Sequence, residues 1–168
     1  MKTTIISGFP GVGKSEYFRN QTANGRTCLD SDSSKFSWVK DAEGNNAKER
    51  NPEFPNNYIN HIKENIGKVD IIFVSSHDVV RHALEEAGIN YVLVYPEMGA
   101  KETYIERYKK RGNNENFINF ISENWEKFIT DMDNETFPYK KKLEEWQYLS
   151  STGVILGCET AGCQDEIV

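Results

Sequence analysis

The chain has few cysteines, no basic excess and no long apolar run. Its three cysteines, Cys28, Cys158 and Cys163, are an odd number without C-x-x-C spacing. This argues against a disulfide framework or a thiolate zinc site and fits a reducing, cytoplasmic setting. Lysine and arginine total 20 against 26 aspartates and glutamates, a net charge of −6. With no surplus cation to neutralise phosphates, broad non-specific binding to nucleic acid or to an anionic membrane is disfavoured, although a local basic pocket is still allowed. No apolar stretch approaches the ~20 residues needed to span a bilayer. The opening MKTTIISGFP reads as a strand and a glycine-rich loop rather than a signal peptide. Internal repeats and low-complexity tracts are also missing. A length of 168 residues with 38% hydrophobic and 27% charged content fits one domain over residues 1–168 with a real core.

The strongest positive signal is Gly8-Phe9-Pro10-Gly11-Val12-Gly13-Lys14-Ser15. It fills every fixed position of G-x-x-x-x-G-K-[ST], the phosphate-binding P-loop. The β-branched run Thr3 to Ile6 before it reads as a buried strand, and Ser15 to Arg19 after it can open a helix. Positive φ at Gly8, Gly11 and Gly13 is expected to turn successive N–H groups toward phosphate oxygens. The helix N-terminus adds partial positive charge. In this chemistry Lys14 reaches the β- and γ-phosphates of ATP and the Ser15 hydroxyl ligates Mg²⁺.

Further along, the first helix runs to about Asn20 and is broken at Asn24-Gly25, and Thr27 to Leu29 reads as a second strand. Lys35 to Pro55 is an irregular polar excursion containing Trp38, Arg50 and Phe54, and excursions of this length in a compact domain are usually functional or disordered. Helical spacing returns over Asn57 to Ile66. Val69 to Val74 is a strand, a helix runs from Asp78 to Ala87, and Ile89 to Tyr95 is another strand. Continuous rather than alternating apolar runs indicate strands buried on both faces of a parallel sheet. The expected fold is therefore α/β and three-layered, a mostly parallel five-stranded sheet with helices on both faces. Helices are expected over Lys101 to Arg111, across Phe117 to Met132 with Trp125 in the core, and around Tyr139 to Trp146. Gly153 to Gly157 is expected as the last strand.

The strand at 69–74 ends in Ser75-Ser76-His77 without the carboxylate that motor and switch NTPases place there to support Mg²⁺. The well-placed acids are Asp30 and Asp32, after the second strand. Asp32, the stronger of the two, either supports Mg²⁺ or takes a proton from an attacking hydroxyl; alternatively both only cap a turn with Ser31, Ser33 and Ser34. Arg107 and Arg111 lie four apart and share a helix face, either near the transferring phosphate or solvated beside glutamates such as Glu106. His77 reads as an acceptor contact or a turn residue, and Trp38 and Phe54 as base-stacking rings or seals of the excursion.

With GFPGVGKS, LDSD after strand two, VSSHDVVR after strand three and the YIERYKKRG helix, the chain resembles the P-loop nucleotide and small-metabolite kinases. With NPEFP and ENWEKF added, it looks most like phage-type deoxynucleoside monophosphate kinase-like proteins. The resemblance implies a lid over 101–132, carrying Arg107 and Arg111 with Lys110 as a weaker candidate. It implies an acceptor-binding insertion over 35–66 with Trp38, Arg50 and Phe54, and a phosphate-binding role for Arg81. It also implies ATP as donor, Mg²⁺ as cofactor and a (deoxy)nucleoside monophosphate as acceptor. The Asp-Gly-x-Pro-Arg run of many monophosphate kinases is absent here, and Asp30-x-Asp32 is more typical of kinases that phosphorylate hydroxyls of sugar acids or polynucleotide 5′ ends. A nucleotide-dependent regulatory protein is the alternative from outside the enzymes. No motif fixes the base, the sugar or the oligomeric state.

Overall fold

The computed structural model describes residues 2–40, 42–43 and 46–151. In chain order the elements are β1 (Thr4–Gly8), α1 (Lys14–Ala23), β2 (Cys28–Asp30), α2 (Ser34–Ser37), β3 (Trp38–Lys40), β4 (Asn46–Arg50), α3 (Asn56–Asn65) and β5 (Ile71–Ser75), and then α4 (Asp78–Glu86), β6 (Val92–Pro96), α5 (Lys101–Lys110), α6 (Glu115–Asp133) and β7 (Tyr139–Leu143). Five of the strands form one sheet in the order β2-β5-β1-β6-β7, and every pairing in it is parallel. Helices cover its faces, giving the α/β layering that the continuous apolar runs imply.

β1 lies at the centre, between β5 and β6, because it can be buried from both sides. Its five residues are all buried, and Ile71, Ile72, Phe73 and Val74 of neighbouring β5 are 0% exposed. Side chains of this kind each contribute about 1.5–3 kcal/mol when removed from water. Ligands of open parallel sheets bind at the carboxyl ends of the strands, where the strand order reverses. β1 delivers the glycine-rich loop to that end.

The two sheet edges are short or charged. β2 has three residues, and β7 carries Lys140, Lys141 and Lys142. Short, lysine-rich edges resist pairing with other chains. β7 also corrects the sequence expectation of a helix around Tyr139 to Trp146. Lysine is a good helix former, but the open edge of β6 supplies a full ladder of partners from Val92↔Tyr139 to Pro96↔Leu143. The expected strand at Gly153 to Gly157 falls outside the described residues, and β7 is the fifth strand among those described.

The excursion expected to be irregular is built instead from α2 and an antiparallel hairpin, β3 with β4, pairing Trp38 with Arg50. Tertiary pairing decides this segment, which has no periodic pattern of its own.

Trp125 is 1% exposed, as expected for a core residue. Its ring centroid lies 5.6 Å from that of Phe9 and 5.6 Å from that of Tyr104, and its indole N–H donates to the Met98 carbonyl at 2.8 Å. The core therefore continues directly into the glycine-rich loop through Phe9.

Candidate active site

The loop between β1 and α1 takes its shape from local sterics and from groups that grip it from outside. Gly11 and Gly13 have φ of +92° and +93°, which L side chains rarely adopt. A Cβ on Gly11 would lie 3.1 Å from both Tyr104 and Tyr108, and one on Gly13 would lie 3.0 Å from Tyr148. Gly8 differs from the expectation. It ends β1 without positive φ and is glycine because a Cβ there would crowd Val12 at 3.1 Å and Lys14 at 3.2 Å.

Three loop carbonyls are held from the side of α5 and the 144–151 segment. Pro10 O accepts from the Tyr108 hydroxyl at 2.7 Å, Gly11 O from Arg107 Nη1 at 2.9 Å, and Val12 O from the Leu149 N–H at 2.7 Å. A trans peptide sets its N–H opposite its C=O. Anchoring the Pro10 and Val12 carbonyls outward thus turns the Gly11 and Gly13 N–H groups to the other side, the arrangement a bound phosphate requires. Lys14 opens α1, where the first N–H groups have no intrahelical acceptor, and Ser15 is exposed beside it. One hydroxyl at this position fits Mg²⁺, which takes few protein ligands and keeps water and phosphate oxygens. Among the described residues no cluster of three or more His, Cys, Asp or Glu side chains is placed to hold a metal.

Arg107 has a different setting from the solvated arginine paired with Glu106; it is Lys109 that pairs with Glu106, at 3.5 Å. The Arg107 guanidinium lies between two rings, 4.4 Å from the Tyr104 centroid and 4.0 Å from that of Tyr148. Besides Gly11 O it donates to Glu145 O at 2.8 Å. Burial pushes the Tyr104 phenol up to about 12 despite the opposing pull of Arg107, so it stays neutral under the cation. Replacing Arg107 by alanine is expected to cost about 2 kcal/mol in urea unfolding. Lysine should restore little of this, since an ammonium cannot fork to several carbonyls. Turnover falling with stability unchanged would instead place Arg107 at the transferring phosphate. Arg111 is exposed at the end of α5.

A cavity of about 360 Å³ opens beside the loop, within the size range of small-ligand sites. One wall is Gly8, Phe9, Pro10, Lys14, the Ser75 to Asp78 turn and Arg81. The other is α6, through Phe120, Asn124, Lys127, Phe128, Asp131 and Met132. Of the residues singled out in the sequence, the structure brings Gly8, Phe9, Pro10, Lys14, His77 and Arg81 together here. Arg81 is 4% exposed. Its Nε donates to Ser76 O at 2.9 Å and its Nη1 to Glu135 Oε1 at 2.5 Å. The pair fixes the plane of the guanidinium in the wall of the cavity that Arg81 lines. The enclosure of His77 lowers its imidazole below the ordinary value of 6.5, against the raising effect of Asp78 and Asp32. Glu135→Gln keeps an acceptor but removes the charge. It is expected to lower stability by about 1–2 kcal/mol in thermal unfolding.

Asp30, Asp32, Trp38, Arg50, Phe54, Arg107 and Arg111 do not line this cavity. Asp32 Oδ1 accepts from Ser34 N at 2.9 Å, the turn-capping geometry. Its loop is nonetheless tied to the site. Ser75 Oγ donates to Ser33 Oγ at 2.7 Å, and Ser75 pairs in register with Gly8. The buried Tyr58 hydroxyl donates to Ser31 O at 2.6 Å. Within 35–66, the Arg50 guanidinium stacks 4.2 Å from the Trp38 centroid, and Phe54 packs against the core with its ring 6.2 Å from that of Tyr58.

Sequence reasoning missed Tyr108, Leu149, Glu135 and the cavity wall on α6. A signal for the last was present. Phe117, Phe120, Ile121, Trp125, Phe128 and Met132 form a wider apolar stripe than one buried helix face requires; the core takes Ile121, Trp125, Ile129 and Met132, and Phe120 is left 53% exposed.

No protein-family model matches the chain, and no curated protein matches it. Among solved structures it is similar to a gluconokinase from Sinorhizobium meliloti 1021, at 16% identity and a TM-score of 0.50, with 89% of this chain and 85% of that one covered. At that identity the likeness is one of fold. It agrees with the P-loop α/β architecture read from the sequence. Among the described residues no helix is long and apolar enough to cross a membrane.

Proposed function

We propose that the chain transfers the γ-phosphoryl group of ATP to a small acceptor seated between the glycine-rich loop and α6, and that this acceptor is a (deoxy)nucleoside monophosphate. The observation that carries this reading is the composition of one cavity, with Gly8 and Lys14 in one wall and Lys127, Phe120 and Phe128 in the other. Lys14 and the loop amides hold the donor phosphates. Ser15 and Asp32 hold the Mg²⁺ shell, and the ion when bound neutralises charge on the β- and γ-oxygens. Arg81, Lys127 and His77 receive the acceptor phosphate. Arg107 keeps the loop in its binding shape, and Arg111 reaches the transferring group if the 101–132 region closes and excludes water. Asp30, Trp38, Arg50 and Phe54 form the rim on the insertion side.

A second reading has a hydroxyl acceptor, with Asp32 as general base. It is favoured by Asp30-x-Asp32 at the end of β2 and by the name of the structural neighbour, a gluconokinase. ADP release from Mg²⁺·ATP against a panel of acceptors separates the two. One of the nucleoside monophosphates is expected to accelerate ADP formation. Acceleration by sugar acids or a 5′-hydroxyl oligonucleotide alone would overturn the first reading for the second. Turnover independent of acceptor would point to a nucleotide-dependent regulatory protein and overturn both.

A further inference from the structure

We infer that the base of the acceptor is read by one face of α6, formed by Phe120, Asn124 and Phe128. This rests on the monophosphate reading above and assigns to α6 a recognition role that the 35–66 insertion was expected to hold. The three residues lie at i, i+4 and i+8 and share one stripe of the helix. That stripe runs beside the core-facing one: Phe128 is partly buried against the core, and Phe120 is left largely uncovered. Phe120 is 53% exposed, and its ring centroid is 5.6 Å from that of Phe128 at 59°. A single exposed phenylalanine needs no explanation. Here both rings line the cavity whose opposite wall carries Lys14 and Arg81.

The chemistry of that wall selects a flat, nitrogen-bearing ring. Aromatic faces stack any base, because every base has a π-face. Asn124 Nδ2 donates to Phe120 O at 2.8 Å, which orients the amide and leaves its carbonyl oxygen to accept from a ring N–H. Lys127, next to Phe128 in the chain and lining the same cavity, supplies a cation for the acceptor phosphate. A linear polyol offers no face to the two rings, whereas a mononucleotide uses the aromatic and cationic groups together.

The test is calorimetric titration of the whole chain, with a non-hydrolysable ATP analogue and Mg²⁺ present, by nucleoside monophosphates and by ribose 5-phosphate and 2-deoxyribose 5-phosphate. At least one monophosphate is expected to bind ten-fold or more tightly than its base-free sugar phosphate. Phe120→Ser, at an exposed position, and Phe128→Leu, which keeps apolar volume, are expected to remove most of that preference while leaving sugar-phosphate binding unchanged. Asn124→Ala should alter the ranking among bases. A purely structural role would weaken both ligand classes equally and overturn the inference. A base preference untouched by Phe120→Ser and Phe128→Leu would also overturn it, with the monophosphate reading intact. Failure of every monophosphate to bind would remove that reading and the inference together.

Discussion

Replacing Lys14 by alanine should lower phosphotransfer by about two to three orders of magnitude, the effect typical of deleting one preorganised group that meets developing charge. The loss is expected mainly in kcat, with a smaller rise in the KM for ATP. A loose phosphoryl-transfer transition state carries its charge on the equatorial oxygens that the lysine reaches, so the interaction is stronger there than in the ground state. Stability should move by no more than about 0.5 kcal/mol, as for other substitutions outside packed regions, because Lys14 is only part-buried and lines the cavity. Steady-state kinetics with the best acceptor, beside thermal unfolding of the same preparation, checks both halves. Unchanged kcat would mean that the observed turnover does not pass through this loop.

The largest expected effect on stability is that of Trp125→Ala, about 3–5 kcal/mol. The indole is 1% exposed. Its removal opens a large cavity and leaves the Met98 carbonyl without its 2.8 Å donor. For a chain of this size the cost corresponds to a fall in Tm of roughly 6–20 °C. Phe9 and Tyr104 both rest on this ring, so the glycine-rich loop should also lose definition. ATP affinity is expected to weaken in the folded variant, measured well below its Tm. Trp125→Phe, which keeps most of the volume, should cost about 1–2 kcal/mol and preserve affinity. A variant that binds ATP normally despite the lost stability would show that the loop holds its shape through Arg107, Tyr108 and Leu149 alone.

Local pattern accounts for most of the elements. β1, β5 and β6 were legible as continuous apolar runs, α3 to α6 from their spacing, and the glycine-rich loop from its motif. Propensity misled at β7, where a lysine-rich segment becomes a strand because β6 offers it an edge. It also misled between Lys35 and Pro55, where a hairpin closes on Trp38 and Arg50. The candidate site divided in the same way. Lys14 and Ser15 are legible from a motif of adjacent residues. The partnership of Arg81 with Glu135 spans 54 positions, and that of Arg107 with Gly11 spans 96. Separations of this length leave no periodic trace in a single sequence.

The sequence by itself determined the P-loop, the parallel α/β layering and the placement of Trp125 in the core. Each of these follows from a short motif or a burial pattern carried by adjacent residues. Only the tertiary structure decided that Arg107 grips the loop from behind, that β7 completes the sheet, and that α6 rather than the insertion walls the cavity beside Lys14. Those outcomes depend on which surfaces meet when distant segments pack. That choice is made by the burial and hydrogen bonding of the whole chain.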